Sequence, residues 1–130
     1  GIENNVFFEG YQPNELVLEY VASCDVGIIP HYACGLWNNT IPNKLFDYMA
    51  MGKAVLSSDA RPVARILEQT QAGLVYTDTD PDQFGRQAMA LLSEEKRNQM
   101  GTNGSNAVKK RYNWGVDAKT MLSVVETLGR

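Results

Sequence analysis

An α/β domain, a parallel sheet with helices on both faces, is the fold that this chain predicts, and three observations predict it. Short apolar runs alternate with segments of helical period along the 130 residues. The run DVGIIP at 25–30 is apolar at nearly every position, the pattern of a strand covered on both faces. The resulting order, β-α-β-α-β-α-β and then helices, is that of crossover units in one sheet.

Taken in order, Asn5-Val6-Phe7-Phe8, closed by Glu9-Gly10, reads as a strand at 5–8. Pro13 and Glu15 open a helix through LVLEYVAS, which leads into the strand at 25–30. The loop from His31 to Thr40, holding Gly35, Trp37, Asn38 and Asn39, is long for a strand-to-helix connection. Such loops at strand ends usually carry function. Pro42 suits the first position of the next helix. There Leu45, Phe46, Met49 and Ala50 make one apolar stripe, while Asn43 and Asp47, four apart, share a polar face. Gly52 supplies the left-handed stop, and AVLSS at 54–58 is too short and too β-branched for a helix, so it is a strand. Val63, Ile66, Leu67 and Thr70 mark a helix over 60–71, stopped by Gly73, with LVYT at 74–77 as a fourth strand. Asp80-Pro81-Asp82-Gln83 is a helix opening, continued by Phe84, Ala88, Leu91 and Leu92. Ser93-Glu94-Glu95 opens another helix, which Gly101 and Gly104 weaken. Asn113 caps a last helix whose Val116, Met121, Leu122, Val125 and Leu128 are expected to form its buried side.

Sheets of this kind bind ligands at the carboxyl ends of their strands. Here those ends are Glu9-Gly10, Pro30-His31, Ser57-Ser58-Asp59 and Thr77-Asp78, with the loop 31–41 and the start of the 42–51 helix on the same rim. A buried helix that carries an oriented carboxylate and runs straight into a core strand reads as the wall of a ligand site. The free N–H groups at its N-terminus favour an anion.

The length suits one domain with a single core, and apolar and charged fractions of 44% and 21% are ordinary for a globular chain. A net charge of -3 and the absence of a basic stripe argue against nucleic acid as a partner. Lys109-Lys110-Arg111 complements a helix C-terminus. Cys24 and Cys34 match no zinc spacing and read as reduced thiols in or near a core. No signal peptide is visible and no apolar run approaches the ~20 residues of a membrane span, so a cytoplasmic protein is expected. A chain that opens on Gly1 rather than methionine fits a trimmed piece of a longer protein.

TIPNKLFDYMAMGKAVLSSD resembles the donor-binding helix and following strand of glycosyltransferases with two facing Rossmann-like domains, the group 1 or family 4 type. NVFFEGY and NELVLEYVASCDVGIIPH upstream, and YNW before the last helix, are similar to the same family, so that the likeness spans nearly the whole chain. It implies a retaining glycosyltransferase (hexosyl or related), active in polysaccharide biosynthesis, that uses a nucleotide-diphosphate sugar and needs neither metal nor other cofactor. The family carries two glutamates eight apart, one near the sugar hydroxyls and one on the nucleotide ribose. The matching positions here are Asn39 and Asp47. An aspartate still accepts hydrogen bonds from two ribose hydroxyls, whereas Asn39 donates and accepts but is no anion.

The resemblance also implies what is missing: two earlier strand–helix units, with the loop that meets the pyrophosphate, and an entire N-terminal acceptor domain. Residues 1–130 then form a partial C-terminal donor-binding domain, and this fragment alone is expected to be inactive. The family's strand order puts the absent strands between 5–8 and 25–30. Strand 5–8 is therefore expected either to pair directly beside 25–30 or to be poorly anchored. The resemblance leaves room for peripheral membrane association of the intact protein.

The expected donor-binding residues are Asp47, Asn39, Lys44, Asn43 and His31, with no metal ligand and no assigned catalytic group. Each has a plainer reading. Asp47 could be solvated or paired with Lys44 or Lys53, Lys44 could be solvated, and His31 could be structural. Trp37 could stack on a base or sugar ring or cover the core edge, and Ser58 and Asp59 lie on the same rim. Other readings of the whole chain are a nucleotide-sugar 2-epimerase, a transferase domain that binds nucleotide without turnover, or a receiver-like interaction module. The last would need acidic residues clustered at strand ends, where only Glu9 and Asp59 lie.

Overall fold

The computed structural model describes residues 1–128. Its sheet has three parallel strands in the order β1-β2-β3: β1 (Val26–Ile29), β2 (Ala54–Ser58) and β3 (Gly73–Tyr76). Val26 lies opposite Ala54, and Val55 opposite Gly73. The helices are α1 (Asn14–Ser23), α2 (Lys44–Ala50), α3 (Arg61–Thr70), α4 (Pro81–Ala90), α5 (Glu94–Lys110) and α6 (Trp114–Leu128). The strand predicted at 5–8 is not formed. A short 3-10 turn occupies Glu3–Asn5 instead, and Val6, Phe7 and Phe8 beyond it are exposed. β1 pairs only with β2 among the described residues, so no ladder reaches 5–8. The direct pairing expected as one alternative is absent, and the segment lies outside the sheet.

Alternation along β2 divides the core. Val55 faces one cluster with Leu45 and Met49 of α2 and Val63, Ile66 and Leu67 of α3. Leu56 faces the other, with Tyr76 and Leu91, against which Phe84 and Ala88 of α4 pack. All five residues of β2 are buried, as a strand covered on both faces requires. β1 meets that expectation on one face only: Ile29 is buried and Ile28 is exposed.

Gly101 and Gly104 do not interrupt α5, which runs through both. A Cβ at Gly101 would run into the carbonyl oxygen of Gly52, and one at Gly104 would press on Met49 and Ala72. The glycines let α5 lie directly on the α2–β2 turn, and that contact outweighs a helix-propensity loss of about 1 kcal/mol each. Gly52 is left-handed (φ 67°), as predicted. Gly73 does not stop α3; Gln71 does, at φ 53°. Gly73 instead opens β3, where a Cβ would strike the backbone of Val55.

The cap predictions hold. Asp80 Oδ1 accepts from Gln83 N at 2.8 Å, Ser93 Oγ from Lys96 N at 3.3 Å and Asn113 Oδ1 from Val116 N at 3.1 Å. The expected buried side of α6 does not form: Val116, Met121, Leu122, Val125 and Leu128 are all exposed. Among the described residues its apolar stripe meets no core.

Candidate functional site

The carboxyl ends of the three strands make one rim, and the loop 31–43 lies across it, held at three points. Ser58 Oγ donates to the His31 carbonyl. Arg61 N donates to Asn38 Oδ1 at 3.0 Å, and Ala33 N to Asp78 Oδ2 at 2.7 Å. Asp78 N in turn donates to Asp59 Oδ1 at 3.3 Å. Residues after all three strands thus tie together, at about 1 kcal/mol for a typical bond. Ser58, fully buried, and Asp59 act here as structural ties, which accounts for their place on the rim without a ligand. Sequence reasoning placed Asp78 and Asn38 near the rim but missed their role as ties. Their legible signals were an aspartate just past a strand end and two consecutive asparagines in a long loop.

At the β1 end of the rim His31 stacks on Trp37, ring centroids 3.7 Å apart and planes at 14°. Trp37 therefore covers an imidazole, where the sequence suggested a base, a sugar ring or the core edge. Nδ1 of His31 is buried without a hydrogen-bond partner. Burial of the ring holds its pKa below the usual histidine value, and the charge of Lys44 adds to the effect. The opposite end of the rim is acidic: burial raises the pKa of Tyr76, with Asp78 and Asp59 contributing.

The wall is α2. Leu45 and Met49 anchor it in the core while Asn43, Lys44 and Asp47 stay exposed. The backbone turns helical at Asn43 (φ -55°, ψ -36°), one residue after the predicted Pro42 start. Leu45 N and Phe46 N already donate to the Pro42 and Asn43 carbonyls, at 3.1 and 2.9 Å. Fewer free N–H groups remain than the sequence suggested, so the Lys44 ammonium is the main attraction for an anion.

Neither Asp47 nor Lys44 forms a side-chain hydrogen bond or an ion pair among the described residues. Lys53, the other cation weighed as a partner for Asp47, donates to the Ala22 carbonyl at 2.6 Å. The structural pairing open to Asp47 in the sequence is therefore not made. Of the five predicted residues, the charge of Lys44 is felt at His31, and Asn43 adjoins Lys44 in sequence. Asp47 follows one helical turn (~5.4 Å) below Asn43, beside Tyr48, whose pKa is raised by burial, then by Cys24 and Asp47. Asn39 stays exposed and folds back on its own loop: its Nδ2 donates to the Gly35 carbonyl at 2.6 Å, leaving Oδ1 free among the described residues.

A cleft of about 650 Å³ lined by Leu67, Gln71, Leu74 and Met100 lies at the other end of the sheet, away from this rim. Among the described residues no group of three or more His, Cys, Asp or Glu side chains could hold a metal ion, and no helix is long and apolar enough to cross a membrane.

Three comparisons place this geometry among known proteins. The sequence model of the family described as Glycosyl transferases group 1 matches residues 1–107. An uncharacterised glycosyltransferase of Methanocaldococcus jannaschii is 23% identical over 128 residues, covering 98% of this chain and 32% of the relative. A solved structure of sucrose-phosphate synthase from Thermosynechococcus elongatus superposes with a TM-score of 0.83 at 20% identity, covering 98% of this chain and 31% of that one. The likeness in structure establishes a shared Rossmann-like fold. The chain spans about a third of the length of the proteins it matches.

Proposed function

The chain belongs to the group 1 glycosyl transferases, and on that footing we propose that it supplies part of the donor site of a retaining enzyme that moves a glycosyl group from a nucleotide-diphosphate sugar to an acceptor. The observation that carries this reading is α2. Its apolar face is locked into the core, while Asp47, Lys44 and Asn43 stand exposed beside the rim, Asp47 and Lys44 without partners among the described residues.

Each group then has a task set by its chemistry. Asp47, a carboxylate, accepts from two ribose hydroxyls. Lys44 meets the diphosphate, whose negative charge grows as the glycosyl bond breaks, so its attraction is stronger in the transition state than in the ground state. Asn43 and the free Oδ1 of Asn39 offer neutral contacts to hydroxyls. The acceptor and its wall come from a separate N-terminal domain, and residues 1–130 are the later part of the donor domain. Two surfaces support that division. The N-terminal segment exposes Phe7 and Phe8, and α6 exposes Met121, Leu122, Val125 and Leu128. Apolar surface of this extent on an ordered helix is what an absent neighbour would cover.

Alone, the chain should not transfer sugar, because acceptor and donor must be held in line within reach. It should bind a nucleoside diphosphate in the millimolar range, about -4 kcal/mol. Titrating the intact gene product with UDP, ADP and GDP, followed by calorimetry, tests the reading: saturable binding of one of them, weakened by Asp47→Ala, is expected. Equal indifference to all three would refute a donor site on this rim.

A further inference from the structure

We propose that Trp37 is a positioning residue of this site: stacked on His31, it holds the imidazole neutral and presents Nε2–H to the rim as a hydrogen-bond donor for a diphosphate oxygen of the sugar donor. The inference deepens the function proposed above and rests on it.

Three observations lead here. The rings lie face to face at 3.7 Å and 14°, so Trp37 covers one face of the imidazole and fixes its plane. The His31 backbone is fixed too, since its carbonyl accepts from the buried Ser58 hydroxyl and the following Ala33 N is held by Asp78. Finally, Nδ1 is enclosed with no partner, whereas Nε2 is not enclosed in this way.

A neutral imidazole carries one proton. A buried N–H with no acceptor forfeits its hydrogen bond to water entirely, while a buried lone pair forfeits less. The proton therefore resides on Nε2, and Nδ1 keeps the lone pair. A second proton would have to enter the enclosed Nδ1 side and would sit near the Lys44 charge from α2. Both effects hold the ring neutral, in line with its lowered pKa. On the far side of the rim, Asp59 and Asp78 accept backbone N–H groups and leave the ring unpaired. A neutral N–H on a rim whose charge is set by the Lys44 ammonium suits an anionic oxygen.

His31 is the single histidine of the chain, so its ring nitrogens are unambiguous in a ¹⁵N NMR spectrum. The labelled chain is expected to show the Nε2–H tautomer at neutral pH and to titrate below the ordinary histidine range. Trp37→Ala should return the titration toward that range, and Trp37→Phe, which keeps a stacking ring, should leave it low; amide dispersion reports that each variant is folded. An Nδ1–H tautomer, or a titration unmoved by Trp37→Ala, would overturn the assignment. Pyrophosphate and the best-bound of UDP, ADP and GDP should shift the Nε2 signal, and the free nucleoside should not. If the nucleotide moves the amides of Lys44 and Asp47 but not the ring, the donor site stands and this role of His31 fails. If it moves no amide from 31 to 47, the donor-site reading itself fails.

Discussion

The β2 region and the two ends of the chain are built from similar apolar residues and meet opposite fates. Leu45, Met49 and Val55 are each 0% exposed, whereas Phe7, Phe8 and Leu128 are 77%, 94% and 81% exposed. Composition does not explain the contrast; partners do. β2 has a strand on each side and helices over both faces, so every apolar residue it carries is covered. Among the described residues the segment 1–10 has no strand to pair with, and the apolar stripe of α6 is left exposed. What the contrast teaches is that this chain holds a closed core beside the proposed site, with unmet apolar surface where the rest of the protein is proposed to sit.

Substitutions can break or sharpen that comparison, and the largest effect belongs in the core. Met49→Ala should cost about 2–5 kcal/mol in urea unfolding of the chain, because the side chain is enclosed between α2, β2 and α5. A loss under about 1 kcal/mol would mean that the core is not as closed as described. Next comes the rim. Asn38→Ala or Asp78→Ala removes the acceptor of one backbone N–H, so each should cost about 0.5–1.5 kcal/mol and speed amide exchange at Arg61 or Ala33 respectively. Unchanged exchange would show that the loop is held by other means. Smallest of all, Phe8→Ser or Leu122→Ser should change the stability of this chain by no more than about 0.5 kcal/mol. In the intact protein the same substitutions should cost several times as much, since there the surfaces are proposed to be covered. Equal costs in the two settings would remove the support that these surfaces give to an absent neighbour.

How much of this was legible in the sequence follows the same division. Short-range signals mostly held: the Asp80, Ser93 and Asn113 caps, the Gly52 stop, Leu45 and Met49 of the α2 stripe and the buried run of β2, while Ala50 is exposed, β1 is covered on one face only and Gly73 did not stop α3. Strand 5–8 failed because a strand needs a neighbour, and periodicity does not say whether one is supplied. The buried side of α6 failed for the same reason. Gly101 and Gly104 misled because helix propensity is local, while the close approach to Gly52 and Met49 joins segments some fifty residues apart in sequence. At the site, exposure of Asp47 and Lys44 could be read from helical period. The His31–Trp37 stack could not, because it depends on the path of an irregular loop.

The claim at the centre is that the exposed face of α2 grips the donor, and Asp47 tests it most directly. Donor kinetics of the intact enzyme should show kcat/KM lowered tenfold or more by Asp47→Ala, with a raised donor KM; tenfold corresponds to about 1.4 kcal/mol. Asp47→Glu should keep near-native kinetics, because a carboxylate one methylene longer still accepts two hydroxyls. Donor kinetics unchanged by Asp47→Ala would make Asp47 a solvated surface charge and contradict the placement of the site on this face.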